Sequence, residues 1–337
     1  MTELSRRDKE SPYILIGAIV VGAVIAQLVG KPIPWLIDFT QAGIFLVILS
    51  IMVSVEIKDV SRAFRKVKPT AVALFINFVF VPLFAWTLGW LFLRSYPDFW
   101  MGAILYALTP CIGWYLIFTD IAKGDVGWGV ALLPWNLSLQ IMLVPVYMYF
   151  LIGKIIPVDT GTILTSVLLF FIGPFVLSYL IQKLVKSRRG AGYLLGDFKK
   201  WTSDVKLWGL VLVLVAMFVS QGPLGLMGAG EVALLIAFLI GFFAVQFLIA
   251  IATGTLLNLG YEDTVTLSFT TTARNSEAVI GIAVVAFPGH PLVYLAIILG
   301  PVIELPVLLA ISRVLLRLKG KVDESSALHL IPRVRKT

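Results

Sequence analysis

Long apolar runs separated by short polar segments recur along the whole chain of 337 residues. A helix needs about 20 consecutive apolar residues to cross the hydrocarbon core of a bilayer, and most of the runs reach about that length. We therefore predict an all-α membrane protein with ten transmembrane helices. The predicted spans are Pro12–Val29, Pro34–Val55, Thr70–Leu93, Phe99–Ile121, Val126–Gly153, Gly161–Leu184, Val205–Val219, Val232–Leu259, Thr264–Phe287 and Pro291–Leu318.

Composition supports a membrane protein, because 59% of the residues are hydrophobic and only 14% are charged. A soluble protein carries about 25% charged residues. The N-terminal segment, residues 1–11, is polar, and the first apolar run has no small-residue cleavage site, so we predict no removable signal peptide. One cysteine leaves no internal disulfide.

Basic residues are unequally divided between the two sides of the predicted membrane. With the N-terminus placed inside, 23 of the 27 Lys and Arg residues fall in cytoplasmic segments. Three fall outside, Lys31, Arg94 and Lys154, and Arg274 lies within a span. This asymmetry indicates an even number of spans in the cell (inner) membrane with both termini cytoplasmic. It also accounts for the net charge of +8 without a nucleic acid partner.

A basic, glycine-containing cytoplasmic loop at about 185–204 divides the spans into two groups of five. Because five is odd, the second group enters the membrane from the opposite side, which is typical of an inverted repeat. The predicted organisation is a cytoplasmic N-terminus, 1–11, a first five-helix repeat, 12–154, a second repeat, 155–318, and a cytoplasmic tail, 319–337.

The fourth span of each half contains a polar or helix-breaking interruption. In the first half Thr109, Pro110 and Cys111 interrupt the apolar run, and proline removes a helical hydrogen bond. In the second half the polar run is Thr270 to Glu277. Broken spans at matching positions of two halves indicate a transport site near the middle of the bilayer.

Several side chains near these interruptions are candidates for chemistry. Cys111 is either a soft ligand for a soft solute or a small buried hydrophobe. Glu304 is an intramembrane carboxylate, suited to exchanging a proton or to pairing with a charged substrate, although a structural role is also open. Arg274 and Glu277, three residues apart, either neutralise one another or contact substrate. Asn275 and Thr272 either coordinate a polar solute or satisfy freed backbone groups.

The sequence lacks a P-loop, a pair of histidines at metal-binding spacing and a nucleophile elbow. We therefore predict no cofactor and no ATP-driven or enzymatic activity. Asn77, Asn136 and Gln140 are predicted to form hydrogen bonds between helices. The cytoplasmic end of the fourth span is followed by Asp120, Lys123 and Asp125, which are predicted to cap and terminate that span.

Three stretches resemble the Acr3-type arsenite efflux transporters of the bile acid/sodium symporter superfamily. Residues 111–125, CIGWYLIFTDIAKGD, resemble the fourth-span motif of that family. Residues 273–277, ARNSE, resemble its ninth-span Asn-Asn-Phe-Glu region, and residues 300–308, GPVIELPVL, resemble its Gly-Pro-Leu-Ile-Glu-Val-Pro-Val-Leu run. The ten-span layout fits the family over nearly the whole chain.

The resemblance implies panel and core domains, with unwound fourth and ninth helices that cross. It also implies efflux of arsenite and antimonite by proton antiport, with Cys111 as the essential thiol ligand of arsenic or antimony and Glu304 as the essential carboxylate. The chain departs from the family pattern at three positions. Pro110 stands where an Arg is common, and Arg274 and Ser276 replace an Asn and a Phe.

Our prediction is a secondary active transporter that extrudes arsenite by proton antiport through alternating access. Substrate would bind Cys111, Thr109, Pro110, Asn275 and Thr272. The carboxylates Glu304 and Glu277 would provide proton coupling. The alternative within the same class is a sodium-coupled symporter of an organic anion, which Arg274 would suit. A channel or an intramembrane enzyme is disfavoured, because the spans offer Cys111 no histidine base.

Overall fold

The computed structural model of the chain describes residues 6–31, 33, 35–54, 66–111, 114–155, 161, 165, 168–193, 199–221, 229–287 and 289–329. Within these ranges the chain is helical apart from short turns and breaks, and no strand forms beyond one isolated antiparallel bridge. The fold is therefore that of an all-α membrane protein, as the apolar runs predict.

Twelve helices are numbered here in chain order over the described ranges. They are α1 (Arg6–Val29), α2 (Trp35–Ser54), α3 (Val67–Leu93), α4 (Pro97–Ala107), α5 (Trp114–Ile121), α6 (Val126–Ile152), α7 (Gly173–Tyr193), α8 (Lys199–Gln221), α9 (Ala229–Leu256), α10 (Tyr261–Thr272), α11 (Ser276–Ala286) and α12 (Pro291–His329). Within α3 and α6 the helix widens to a π-helical turn, at Ile76–Phe80 and Met148–Ile152.

Four helices in the described part of the chain are long and apolar enough to cross a membrane unaided. They are α3, α6, Gly230–Leu256 of α9 and Pro291–Lys319 of α12. These coincide with the predicted third, fifth, eighth and tenth spans. The total of ten spans and the inverted repeat stay predictions.

The helices pack in two groups. In the first group α8 packs along α2 and α1, and α7 lies against α2. In the second group α4 packs against α3 and α12, while α9 contacts α3, α10 and α12. The groups meet where α11 contacts α2 and where α1 contacts α12. The second group contains both of the interrupted spans.

Both predicted interruptions are breaks in the structure. Between α4 and α5 the chain leaves the helix at Thr109, and between α10 and α11 Ala273 has an extended backbone, with φ −73° and ψ 140°. Pro110 and Arg274 form the antiparallel bridge that joins the two breaks. The predicted fourth span is therefore divided into α4 and α5, the predicted ninth span is divided into α10 and α11, and the two breaks meet.

Two segments predicted to be a loop and a tail are partly helical. Helix α7 continues to Tyr193, with a non-helical Gly190 at φ 79°, and α8 already begins at Lys199. Helix α12 extends to His329, beyond the predicted end at Leu318. Hydropathy detects only the apolar part of a helix, whereas residues such as Lys continue helices readily in water. Residues 194–198 lie outside the described part.

Candidate functional site

The two helix breaks bond to each other through their backbones. The N–H of Cys111 donates to the carbonyl oxygen of Ala273 at 3.0 Å, and the N–H of Asn275 donates to the carbonyl oxygen of Thr109 at 2.8 Å. Non-helical backbone within a bilayer needs hydrogen-bond partners in the protein. Each break supplies hydrogen-bond partners to the other. These bonds fix the position of α4 and α5 against α10 and α11.

The predicted substrate-binding residues all lie at this crossing. Thr109, Pro110, Cys111, Thr272 and Asn275 are buried. The hydroxyl of Thr109 donates to the carbonyl oxygen of Asn275 at 3.0 Å. The hydroxyl of Thr272 is buried and has no hydrogen-bond partner among the described residues. The crossing thus brings together a thiol and two hydroxyls from the two halves of the chain.

Cys111 is not part of a disulfide and is 4% exposed. It packs in an apolar cluster that includes Tyr115 of α5, Phe269 of α10 and Leu308 of α12. Burial alone fits both interpretations of this cysteine, because a small hydrophobe and a soft ligand can occupy the same position. Its neighbours Ile112 and Gly113 lie outside the described residues.

Glu304 lies on α12 and is 2% exposed. Its Oε1 accepts a hydrogen bond from the backbone N–H of Arg274 at 3.1 Å, and its Oε2 accepts one from the hydroxyl of Tyr106. A buried carboxylate is tolerated when hydrogen bonds of this kind satisfy it. The carboxylate therefore belongs to the same crossing as Cys111, as predicted.

Tyr106 is a site residue that the sequence analysis missed. It lies on α4, is fully buried, and joins this half-helix to Glu304 on α12. Gly300, one turn before Glu304, makes room for the tyrosine ring, since a Cβ at residue 300 would lie 2.3 Å from Tyr106 Cε2. The sequence signal for this contact is Gly300, because a glycine one turn before the intramembrane carboxylate Glu304 leaves space for a bulky side chain from another helix.

Arg274 lies in the break before α11, so no intact helix joins it to Glu277. The predicted pairing of the two charges stays a prediction, because the side chain of Glu277 lies outside the described part. The Arg274 guanidinium donates to the carbonyl oxygen of Ala107 at 3.1 Å, to Asn77 Oδ1 at 3.2 Å and to the carbonyl oxygen of Thr271.

Buried amides from neighbouring helices support the crossing. Asn77 of α3 donates to the carbonyl oxygen of Thr270 at 3.1 Å, and Asn136 of α6 donates to the hydroxyl of Thr270 at 3.3 Å. The predicted role of these asparagines in bonding between helices is confirmed. Gln140, one turn after Asn136, is also buried, and its amide has no hydrogen-bond partner among the described residues.

A charged cluster joins the far ends of the same helices. Lys66, just before α3, forms ion pairs with Asp125 at 2.8 Å and with Asp263 in the first turn of α10. Asp125 also accepts a hydrogen bond from the N–H of Trp128 at 2.9 Å, so it caps the start of α6 rather than the end of the fourth span, where its cap was predicted. Burial lowers the pKa of Lys66, but the hydrogen bonds and charges of the two aspartates outweigh it and raise that pKa above its ordinary value of 10.5.

Comparison with known proteins finds one family model and several relatives that match this chain. Residues 41–225, more than half of the chain, match the Sodium Bile acid symporter family. The Arsenical-resistance protein Acr3 of Corynebacterium glutamicum is 26% identical over 336 residues, which cover 94% of this chain and 91% of that protein. The Acr3 of Alkaliphilus metalliredigens is 23% identical and covers 88% of each chain.

A relative whose name gives a different role matches a shorter part of the chain. The probable sodium/metabolite cotransporter BASS3 of Oryza sativa, a chloroplast protein, is 25% identical over 180 residues. The match covers 50% of this chain and 40% of that protein.

Proposed function

The chain belongs to the Sodium Bile acid symporter family and is a multi-pass membrane transporter, and we propose that it extrudes arsenite, with antimonite as a second substrate, by proton antiport. The observation that carries this proposal is the position of Cys111, whose buried thiol lies at the crossing of two broken helices. The names of two relatives that span most of the chain, both arsenical-resistance proteins, support the same substrate.

The thiol of Cys111 suits trivalent arsenic, because soft sulfur ligands prefer soft centres. When the thiol binds As(OH)3, an S–As bond forms and one As–O bond breaks, and the thiol proton leaves with the hydroxide as water. Among the described residues no group of three His, Cys, Asp or Glu side chains is placed to hold a metal ion. A single sulfur holds the metalloid weakly enough to release it on the other side.

Polar groups at the crossing complete the proposed substrate site. The buried hydroxyl of Thr272 is available to donate a hydrogen bond to an arsenic-bound oxygen. Thr109, Pro110 and Asn275 form the backbone of the crossing and set the position of the thiol. Substrate would therefore contact residues from both halves of the chain.

Glu304 is the proposed proton carrier. It is a buried carboxylate at the crossing, held by Tyr106 and by the backbone of Arg274. Entry of a proton onto Glu304 and departure of the metalloid from Cys111 would alternate, which gives antiport. Glu277, whose backbone lies in the first turn of α11, is a second candidate for proton coupling.

Alternating access requires two bodies that move against each other. We infer ten spans arranged as two inverted repeats of five, 12–154 and 155–318, with cytoplasmic segments 1–11 and 319–337 at the two ends. The packing of α1, α2, α7 and α8 in one group and the remaining helices in another supports a panel and a core. The distribution of Lys and Arg supports cytoplasmic termini in the cell membrane.

Uptake of arsenite into everted membrane vesicles tests the proposal. An imposed acid interior should drive uptake, while an imposed sodium gradient should not. Cys111→Ala should reduce uptake to the level of vesicles without the protein, at equal protein abundance. Thr40→Val is the matched control, because Thr40 is a buried hydroxyl in α2 that bonds to Leu36 and lies in the other helix group. Wild-type uptake by Cys111→Ala would remove the thiol from the mechanism.

A second candidate function is sodium-coupled symport of an organic anion. The buried cation Arg274 favours it, as does the partial match to a sodium/metabolite cotransporter. It predicts uptake of a bile acid such as taurocholate that depends on a sodium gradient. The same vesicles distinguish the two functions, because arsenite would then fail to accumulate under either gradient.

A further inference from the structure

The surroundings of the Arg274 guanidinium are those of a cation site. Its two terminal nitrogens donate to three oxygens, namely the carbonyl oxygens of Ala107 and Thr271 and Asn77 Oδ1. Its carbon lies 5.6 Å from the ring centre of Phe242, where the aromatic face favours a positive charge. The residue is 1% exposed, so protein groups supply its surroundings.

Two of these oxygens belong to the ends of half-helices. Ala107 is the last residue of α4, and Thr271 is next to the last residue of α10. The carboxyl end of a helix carries partial negative charge and free carbonyl groups. In transporters with broken helices such ends coordinate the coupling cation. Here one guanidinium bonds to both ends at once.

The crossing also holds a buried carboxylate. Glu304 accepts a hydrogen bond from the backbone N–H of Arg274, and the side chains of both residues are buried. Carbonyl, amide and carboxylate oxygens are the ligands that hard cations such as Na⁺ prefer. A sodium ion at these oxygens would have to displace the guanidinium or lie beside a like charge.

We propose that Arg274 is a tethered cation that occupies the place of a coupling sodium ion, so that this transporter works without sodium. The inference rests on the proposed function as a transporter, and it specifies that this transporter does not use Na⁺ as a coupling ion. Removing the arginine should leave an oxygen-lined site that Na⁺ can enter. Retaining the charge on a lysine should keep that site closed.

The test measures thermal unfolding of purified full-length protein in NaCl, KCl and choline chloride at equal ionic strength. Wild type should have the same melting temperature in all three salts. Arg274→Asn should melt roughly 3 °C or more higher in Na⁺ than in K⁺, with saturation as Na⁺ is raised. Arg274→Lys should behave like wild type. Arg94→Asn is the matched control, because Arg94 is an exposed arginine at the end of α3.

Each outcome decides the proposal. A saturable sodium-specific rise in the melting temperature of wild type would overturn it, and so would an Arg274→Asn protein that is folded but indifferent to sodium. If folded Arg274→Asn protein can be purified in sodium but not in potassium, the proposal is supported. If it can be purified in neither salt, the proposal is contradicted. The unfolding experiment contains no metalloid. Its result therefore does not depend on whether the protein transports arsenite.

Discussion

Glu304 accepts a hydrogen bond from the backbone N–H of Arg274, with 3.1 Å between the nitrogen and Oε1. Glu304 lies on the continuous helix α12, whereas Arg274 lies in the break between α10 and α11. The carboxylate is therefore bonded to the break between α10 and α11. Protonation of Glu304 changes the charge next to this segment, and movement of this segment changes the surroundings of the carboxylate. That reciprocal dependence is what coupling of a proton to a conformational change requires.

Replacing Tyr106 by Phe should alter proton coupling more than substrate binding. The change removes the hydrogen bond to Glu304 Oε2 and keeps the ring that packs beside Gly300. A hydrogen bond to a charged group contributes about 1.5–3 kcal/mol, so we expect at least a tenfold lower transport rate at the wild-type pH optimum and a displaced optimum. Arsenite uptake measured from pH 5.5 to 8.5, roughly the range over which imposed gradients are practical, checks this.

Tyr294→Phe is the matched control for that change. Tyr294 is equally buried, and its hydroxyl donates to the carbonyl oxygen of Phe287 rather than to Glu304. Its pH profile should match wild type. An unchanged profile for Tyr106→Phe would show that the tyrosine only packs.

Arg274 and Glu304 should be strongly non-additive in stability. Removing one member of a buried charge pair leaves the other uncompensated, which costs about 3–5 kcal/mol. We expect that cost for Arg274→Asn in potassium and for Glu304→Gln, and a smaller loss than their sum for the double variant. Thermal unfolding in a single detergent measures all four proteins. Additive losses would mean that the two charges do not stabilise one another.

Gly300→Ala should be destabilising, because the added Cβ would lie 2.3 Å from Tyr106 Cε2 and 2.4 Å from Cζ. Overpacking of this kind costs about 1–3 kcal/mol. The displaced ring would also lose its bond to Glu304, so transport should fall with stability. Gly241→Ala in α9 is the control, because a Cβ there has nothing within 4 Å and alanine favours a helix. Equal behaviour of both variants would contradict the contact.

The positions of the helix breaks could be predicted from the sequence, because proline and polar residues within apolar runs have few compatible structures in a bilayer. Pro110 and the run from Thr270 to Glu277 both marked positions where the helices end. Glu304 could be assigned to the same site because an intramembrane carboxylate needs polar partners.

The partners of these residues could not be predicted, because they depend on which helices pack together. Tyr106 looked like part of an apolar run, and only the approach of α4 to α12 reveals its bond to Glu304. The three-residue spacing of Arg274 and Glu277 would place them on one face only in an intact helix, and the helix is interrupted at Ala273, whose backbone is extended. The polar C-terminal ends of α7 and α12 were not predicted, because hydropathy does not distinguish a polar helix from a polar loop.

Lys66→Met should lower stability at neutral pH by about 1 kcal/mol or less, since partly exposed ion pairs contribute little. The pKa of Lys66 is raised in the folded protein, so its stabilising effect is complete below the ordinary value of 10.5 and is lost as pH rises through the folded-state pKa. The difference in melting temperature between wild type and variant should therefore be constant from neutral pH to about pH 9.5 and shrink above about pH 10.5. Lys68→Met, at an exposed neighbouring position, is the control. A difference that grows with pH would contradict the ion pairs.

Cys111 is the one cysteine in the chain, so any thiol reagent reports on a single position. The thiol is 4% exposed, and we expect maleimide labelling of native protein to be at least tenfold slower than labelling in denaturant. Arsenite or antimonite should slow it further in a saturable manner, because an S–As or S–Sb bond removes the nucleophile. Phosphate, an oxyanion without affinity for sulfur, should leave the rate unchanged. Mass spectrometry of the intact protein measures the labelled fraction over time, with Cys111→Ser as the unlabelled control. If saturating arsenite leaves the labelling rate unaltered while transport continues, the metalloid crosses the membrane without touching this sulfur.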